Sequence, residues 1–189
     1  MARNYKAAAS LCNLLMTHRI LAALTVVLGI LLSFGCASLD EKQREWIFQP
    51  SDRAWGGSAS YAEGMDDVWI EFDSTVTGEP AKLHGLWLEA DEPSPETPIL
   101  LYLHGARWNV AGSSGRMRRM QDMGFAVLAI DYRGYGKSSP GLPSETTAYE
   151  DARRAWAWLA EQFPDRPRYV FGHSLGGAVA IDLAANVND

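Results

Sequence analysis

The chain carries Gly172-His173-Ser174-Leu175-Gly176-Gly177 directly after the mostly apolar run Arg168-Tyr169-Val170-Phe171. A helical pattern follows from Ser174 to Asn186. A serine with glycine two residues away on either side, entered from a strand and left by a helix, narrows the fold more than any other feature. The turn is so sharp that the serine backbone must take a sparsely allowed conformation. Strand and helix then approach so closely that a Cβ at Gly172 or Gly176 would clash, and Gly177 is expected to relieve the same crowding. The serine hydroxyl is thereby held up at the end of a sheet. Such a hydroxyl is a poor nucleophile near neutral pH and needs an adjacent base, usually histidine. In the fold that uses this turn, the acid and the histidine follow the serine in the chain. No histidine follows Ser174 here.

The rest of the body alternates strands and helices. Val68–Phe72 and Leu83–Leu88 read as two strands joined by the turn Thr77-Gly78-Glu79-Pro80, a hairpin. Ile99-Leu100-Leu101-Tyr102-Leu103 and Phe125–Ile130 are short, almost wholly apolar runs. Such runs suit strands buried on both faces of a parallel sheet. Between them, residues 113–123 read as a helix with Met117, Met120 and Met123 on one side as core filler, closed by Gly124. A second helix is expected from about Ala148, with Thr147 and Glu150 at capping-box spacing. Ala148, Ala152, Ala155, Trp156, Leu159 and Phe163 share one face of it, and Trp158, off that face, is read as an edge contact. The implied architecture is α/β: an initial antiparallel hairpin, then a mostly parallel sheet flanked by helices.

The first 35 residues differ in kind. They hold Arg3, Lys6 and Arg19 and no acid, followed by the uncharged stretch Ile20–Phe34. A membrane span needs about 20 apolar residues, so this stretch better fits the apolar region of a secretory signal. It ends at Leu32-Ser33-Phe34-Gly35-Cys36, which resembles the processing box of bacterial lipoproteins. That resemblance implies acyl chains on Cys36, and Ala37 after it implies sorting to the outer membrane of a bacterial envelope. An uncleaved anchor helix is the other reading. Several acyl chains hold a protein on a membrane where one does not. The organisation expected is therefore a signal or anchor over 1–35, a tether and lead-in over 36–66, and the catalytic-type domain over 67–189. Trp46, Phe48 and Trp55 are expected to pack against the domain edge. The only other cysteine, Cys12, lies in the signal, so the mature part would have no internal disulfide.

An oxyanion site needs two preorganised N–H donors. Leu175 N–H, directly after the serine at a helix start, is one candidate. Ala106 N–H, in the loop after the third strand, is the second, ahead of Arg107. His104 is read as shaping the turn, and His173 as structural or substrate-lining, because adjacent side chains on a tight turn diverge. His84 lies on the early hairpin and His18 in the signal, so neither is read as a base. Asp131 and Arg133 read as a lock on the glycine-rich turn. Trp108 and Met117 are candidate linings of an apolar pocket. There is no metal-ligand spacing and no phosphate-binding glycine loop, so no cofactor is expected. The net charge of −6, without basic clusters in the body of the chain, argues against nucleic acid as a partner.

Three pieces carry a family resemblance: Leu101-Tyr102-Leu103-His104-Gly105, Asp131-Tyr132-Arg133-Gly134-Tyr135-Gly136-Lys137-Ser138 and Gly172-His173-Ser174-Leu175-Gly176-Gly177. They resemble the α/β-hydrolase superfamily, in its serine-aminopeptidase-like and monoacylglycerol-lipase-like branch, over about residues 68–187. The resemblance implies Ser174 as nucleophile, with Leu175 and Ala106 at the oxyanion positions. It also implies a small-molecule or lipid ester, thioester or amide as substrate. The family's later strands, lid, acid and histidine have no counterpart here, so the chain reads as an N-terminal half truncated after the serine turn. A membrane-tethered binding protein without activity and an inactive fragment remain the alternative readings.

Overall fold

The computed structural model describes Met16, residues 18–27, Gly29, 38–52 and 62–187. The chain divides into two units, Met1–Gln43 and Arg44–Asp189. In the first unit, residues 18–27 and 38–43 are helical. No helix among the described residues is long and apolar enough to cross a membrane. Cys36 and its preceding box, Trp55 and the Gly56–Ser60 stretch lie outside the described residues.

The second unit is an open five-stranded sheet flanked by helices, the α/β architecture expected from the sequence. Its elements are β1 (Asp66–Asp73), β2 (Pro80–Leu88), β3 (Ile99–Leu103), α1 (Ser114–Gln121), β4 (Ala126–Ile130), α2 (Glu145–Gln162), β5 (Arg168–Gly172) and α3 (Leu175–Asn186). A single 3-10 turn, Val110–Ser113, leads into α1. The spatial order is β1-β2-β4-β3-β5. β1 and β2 form the antiparallel hairpin, with Gly78 at φ 72 in its turn. β2 is antiparallel to β4, while β3 is parallel to both β4 and β5.

β3 and β4 are apolar throughout because both their faces are covered. Ile99, Leu101, Leu103, Leu128 and Ile130 face one way, into a core closed by Ala152, Trp156 and Leu159 of α2 and Val179 and Leu183 of α3. Leu100, Tyr102, Val127 and Ala129 face the other, against Val110 and Met117. Each fully buried side chain of this size contributes about 1.5–3 kcal/mol. β5 is the outermost strand of the described sheet. Its Tyr169 and Phe171 are exposed, although Phe171 stacks on Tyr102 with ring centroids 5.7 Å apart.

Several expectations are corrected. Helix α2 starts at Glu145, not near Ala148. Its cap is Ser144, whose hydroxyl accepts from Thr147 N–H while Thr147 Oγ1 accepts from Ser144 N–H. Glu150 is taken elsewhere: it accepts from Ser74 and Thr75 and pairs with Arg133 at 2.6 Å. Of the three methionines, Met117 is buried in the core, Met120 is partly covered and Met123 is 61% exposed, because α1 ends at Gln121 before Met123 can turn inward. Trp158 is half-buried and packs edge-on against Phe163. Of the lead-in aromatics expected at the domain edge, Phe48, at the end of a helical stretch over 44–48, packs into the core, while Trp46 is exposed.

Candidate active site

The chain runs β3, α1, β4 and then returns past β3 to β5. The helix after β3 packs on one face of the sheet and the helix after β5 on the other. The loops leaving β3 and β5 therefore diverge to opposite faces, and a crevice opens between them at the carboxyl ends of the strands. Because β3 and β5 are parallel neighbours, with Leu103 opposite Gly172, the segment His104–Trp108 stands directly beside Ser174.

Ser174 has φ 55 and ψ −119, a conformation L-residues rarely adopt. It sits between the last residue pair of β5 and the first turn of α3. A Cβ on Gly172 would lie 2.0 Å from Gly176 O, and one on Gly176 would lie 2.1 Å from Leu103 O. Both obstacles are backbone and cannot step aside. Gly177 is different: a Cβ there would meet its nearest neighbour, Gly172 O, at 3.7 Å, an ordinary contact. Crowding thus requires two of the three glycines, not all three.

The amides around Ser174 divide into used and unused. Gly176 N–H donates to His173 O at 3.0 Å and Gly177 N–H to Ser174 O at 2.9 Å. Leu175 N–H, at the open end of α3, has no bond to any described residue, and neither has Ala106 N–H. Arg107, at φ 84, donates its N–H to Phe48 O at 3.2 Å, which removes it as the second donor. Phe48 O also accepts from the Tyr135 hydroxyl. Sequence reasoning placed Phe48 against the domain edge but missed that its backbone carbonyl anchors the β3 loop.

The three imidazoles of the second unit are engaged away from Ser174. His104 is buried, and its Nδ1–H donates to Gly105 O at 2.6 Å. Burial pushes its pKa down, although Asp131 pulls the other way. Its Nε2 lies 3.6 Å from Asp131 Oδ1, too far for a hydrogen bond, and we read the ring as neutral. His173 Nε2 accepts from Arg116 Nη2 at 3.4 Å; partial burial and then the Arg116 charge lower its pKa. His84 stands between Asp67, at 2.5 Å, and Asp131, at 3.2 Å. Asp131 also accepts from Val110 N–H at 2.6 Å, and Arg133 is bonded to Asp151 at 2.7 Å, so both residues of the glycine-rich turn brace the site from behind. Among the described residues no group bonds the Ser174 hydroxyl.

A cavity of about 490 Å³ opens over the serine, lined by Gly105, Ala106, Arg107, Trp108, Arg116, His173 and Ser174 among others. Met117 is fully buried and does not line it; it points into the core beneath α1. A larger hollow of about 570 Å³, between Pro50 and the Gly134–Gly141 turn, contains no nucleophile and is not part of this site. No cluster of His, Cys, Asp and Glu suited to a metal occurs among the described residues.

Residues 94–189 match the family model described as serine aminopeptidase, S33. The chain is 35% identical over 134 residues to a protein named lysophosphatidylserine lipase ABHD12 of Danio rerio, covering 67% of this chain and 34% of that one. Its likeness to the protein of the same name in Xenopus tropicalis is 41% over 148 residues, covering 71% and 36%. It thus spans about a third of the length of these relatives. Among solved structures, an alpha-beta hydrolase from Vibrio vulnificus superimposes with TM-score 0.61 at 23% identity, over 77% of this chain and 51% of that one. The esterase Pf2001 of Pyrococcus furiosus gives TM-score 0.58 at 22% identity, over 73% and 53%. At these identities the two structures speak for the fold alone.

Proposed function

The chain belongs to the serine aminopeptidase S33 family of α/β-hydrolases, and from that premise we propose that it contributes the nucleophile and oxyanion site of a serine hydrolase acting on carboxylic esters. The observation that carries this reading is the Ser174 backbone at φ 55, which a non-glycine residue adopts only where the surrounding packing imposes it. Ser174 Oγ attacks the acyl carbonyl carbon and gives its proton to an imidazole. The carbonyl oxygen becomes an oxyanion held by the N–H groups of Leu175 and Ala106. The tetrahedral adduct collapses, the carbon–oxygen bond to the leaving alcohol breaks, and the alcohol departs with the proton. Water then releases the acid from the acyl-serine by the same steps. His84, His104 and His173 are all committed elsewhere, so this reading requires the imidazole to come from outside the described residues.

Esters are favoured over amides because the lipases named above share 35–41% of aligned residues with this chain and because Trp108 gives the cavity an apolar wall. A lipid ester fits the same features. Attachment to a bacterial envelope through acyl chains on Cys36 belongs to this proposal and is supported by the sequence of residues 20–36 alone.

A fluorophosphonate probe tests the reading. Covalent labelling that disappears in Ser174→Ala supports it. Labelling that survives the substitution, or no labelling when a histidine-bearing downstream segment is supplied, overturns it.

A further inference from the structure

Among the described residues, three that are not glycine have a positive φ: Gln49 at 47, Arg107 at 84 and Ser174 at 55. Such conformations are costly and persist only where the surroundings impose them. The three are connected. Ser174 carries the hydroxyl, and Arg107 directly follows the candidate donor Ala106. Gln49 directly follows Phe48, whose carbonyl accepts from Arg107 N–H at 3.2 Å.

Residues 44–52 form a strap across the β3 loop and the glycine-rich turn. The segment is helical to Phe48 and turns at Gln49, which donates its N–H to Glu45 O and its side-chain amide to Trp46 O, both at 3.0 Å. Beyond the helical stretch it holds both loops by main-chain carbonyls. Phe48 O takes Arg107 N–H and the Tyr135 hydroxyl, Ser51 O takes Gly136 N–H at 3.1 Å, and Asp52 O takes the Asn109 side-chain amide at 2.9 Å. The Phe48 ring serves the other half of the site. It is 5% exposed and lines an apolar hollow of about 220 Å³ whose walls include Leu175 and Val179 of α3. Its carbonyl fixes the peptide between Ala106 and Arg107, which sets the direction of the Ala106 N–H one peptide earlier. Its ring supports the first turn of α3, where the Leu175 N–H begins the helix.

We propose that Phe48 is a positioning residue for the oxyanion site: through its carbonyl and its ring it aligns the Ala106 and Leu175 amides, and the pair converges only while the strap is seated. The inference rests on the hydrolase reading for what the two amides do, but not for how they are held. Displacing residues 44–52 would then weaken the site without touching Ser174.

The test uses the full chain and two readouts. Amide hydrogen exchange shows whether the loop is held, since exchange follows local opening. Fluorophosphonate labelling of Ser174, with probe affinity separated from maximal rate, shows whether the oxyanion site is intact. Phe48→Ala is expected to speed exchange of the Arg107 amide by roughly tenfold while Leu101 in β3 keeps the parent's rate. Its maximal labelling rate should fall by about tenfold at unchanged probe affinity, short of the 10²–10³-fold that outright loss of a donor costs. Phe48→Leu, which restores apolar bulk, should recover most of that rate. Phe48→Ala also opens the core, so Tyr135→Phe stands beside it. That variant removes one bond to the same carbonyl, leaves the apolar contacts in place, and should move both readouts in the same direction by less. If Phe48→Ala does not fold, Tyr135→Phe decides. The proposal falls if exchange at Arg107 is unchanged, or if the loop is freed and Ser174 still labels at the parent's rate. If the parent itself shows no labelling at Ser174, the hydrolase reading falls, and exchange alone decides whether Phe48 holds the loop.

Discussion

Gly105 and Ser174 approach so closely that a β-carbon placed on Gly105 would lie 3.1 Å from the Ser174 β-carbon, with His173 O at 3.2 Å behind it. The loop after β3 and the serine turn can stand side by side only because one of them has no side chain at the contact. Gly105→Ala should push the Ala106 amide away from the serine by a few tenths of an ångström. Displacements of about 1 Å can cost 10²-fold in rate, so probe labelling of Ser174 should slow by about tenfold. The melting temperature should fall by less than about 4 °C, the effect of roughly 1 kcal/mol in a chain of this size. Equal labelling rates for the two proteins would refute this.

The glycines of the turn should not be equivalent. Gly176→Ala drives a Cβ to 2.1 Å from Leu103 O and should cost about 3 kcal/mol or more, since overpacking against backbone has no side chain to yield. Gly177→Ala meets nothing closer than 3.7 Å inside a helix, where alanine is favoured over glycine by up to about 1 kcal/mol. Urea unfolding of the two variants should move in opposite directions.

Arg133 holds Asp151 through two bonds and Glu150 through one, all out of water. Despite burial, the bonds from Ser74, Thr75 and Arg133 keep Glu150 at about 2, below the usual carboxylate range. A carboxyl with a lowered pKa contributes stability above its unfolded value and loses it as the pH falls towards 2. Arg133→Ala strands both acids and should cost about 3–5 kcal/mol. Arg153→Ala, which breaks an exposed pair with Asp182, should cost less than about 1 kcal/mol. Denaturant midpoints measured side by side distinguish the two, and comparable losses would contradict the difference in burial.

His84 is expected to give a pH dependence of the opposite sign. Burial lowers its pKa, but the Asp131 and Asp67 carboxylates on its two nitrogens outweigh burial and hold it above its ordinary value, with Lys137 opposing weakly. Both nitrogens can donate only when the ring is protonated. A raised pKa means the contribution is complete below the unfolded value of about 6.5 and is lost as the pH rises through the folded one. One lost hydrogen bond, about 1 kcal/mol, should lower the melting temperature by about 2–4 °C between pH 6 and 8.5. His84→Gln should flatten that slope, and a variant with the parent's slope would assign it to another group.

How far the sequence could be read depended on whether a signal was local. β3 shows itself at Ile99–Leu103 because a strand covered on both faces is apolar at every position. The Gly172–Gly176 turn shows itself because the close approach of two backbones forbids every residue but glycine. The start of α2 was misplaced because Thr147 and Glu150 have capping-box spacing, whereas the box formed is Ser144 with Thr147, three residues earlier. Arg133 and Ser74 decide the matter by drawing Glu150 inward, and those contacts come from distant parts of the chain. Phe48 was legible only as an edge contact, because the bonds its backbone carbonyl accepts leave no mark on the residue type. The contact of Arg116 with His173 could not be read at all, since it joins residues 57 positions apart.

The Phe48 carbonyl meets both the Arg107 amide and the Tyr135 hydroxyl, yet Phe48 lies well upstream of the segment the family model covers. A shortened protein cut at the homology boundary would keep its serine and lose the peg that fixes the opposite lip of the crevice. It would also shed β1 and β2, and with them the protection of one side of β4. A piece that keeps this anchor therefore begins no later than Phe48, well upstream of the family model's boundary.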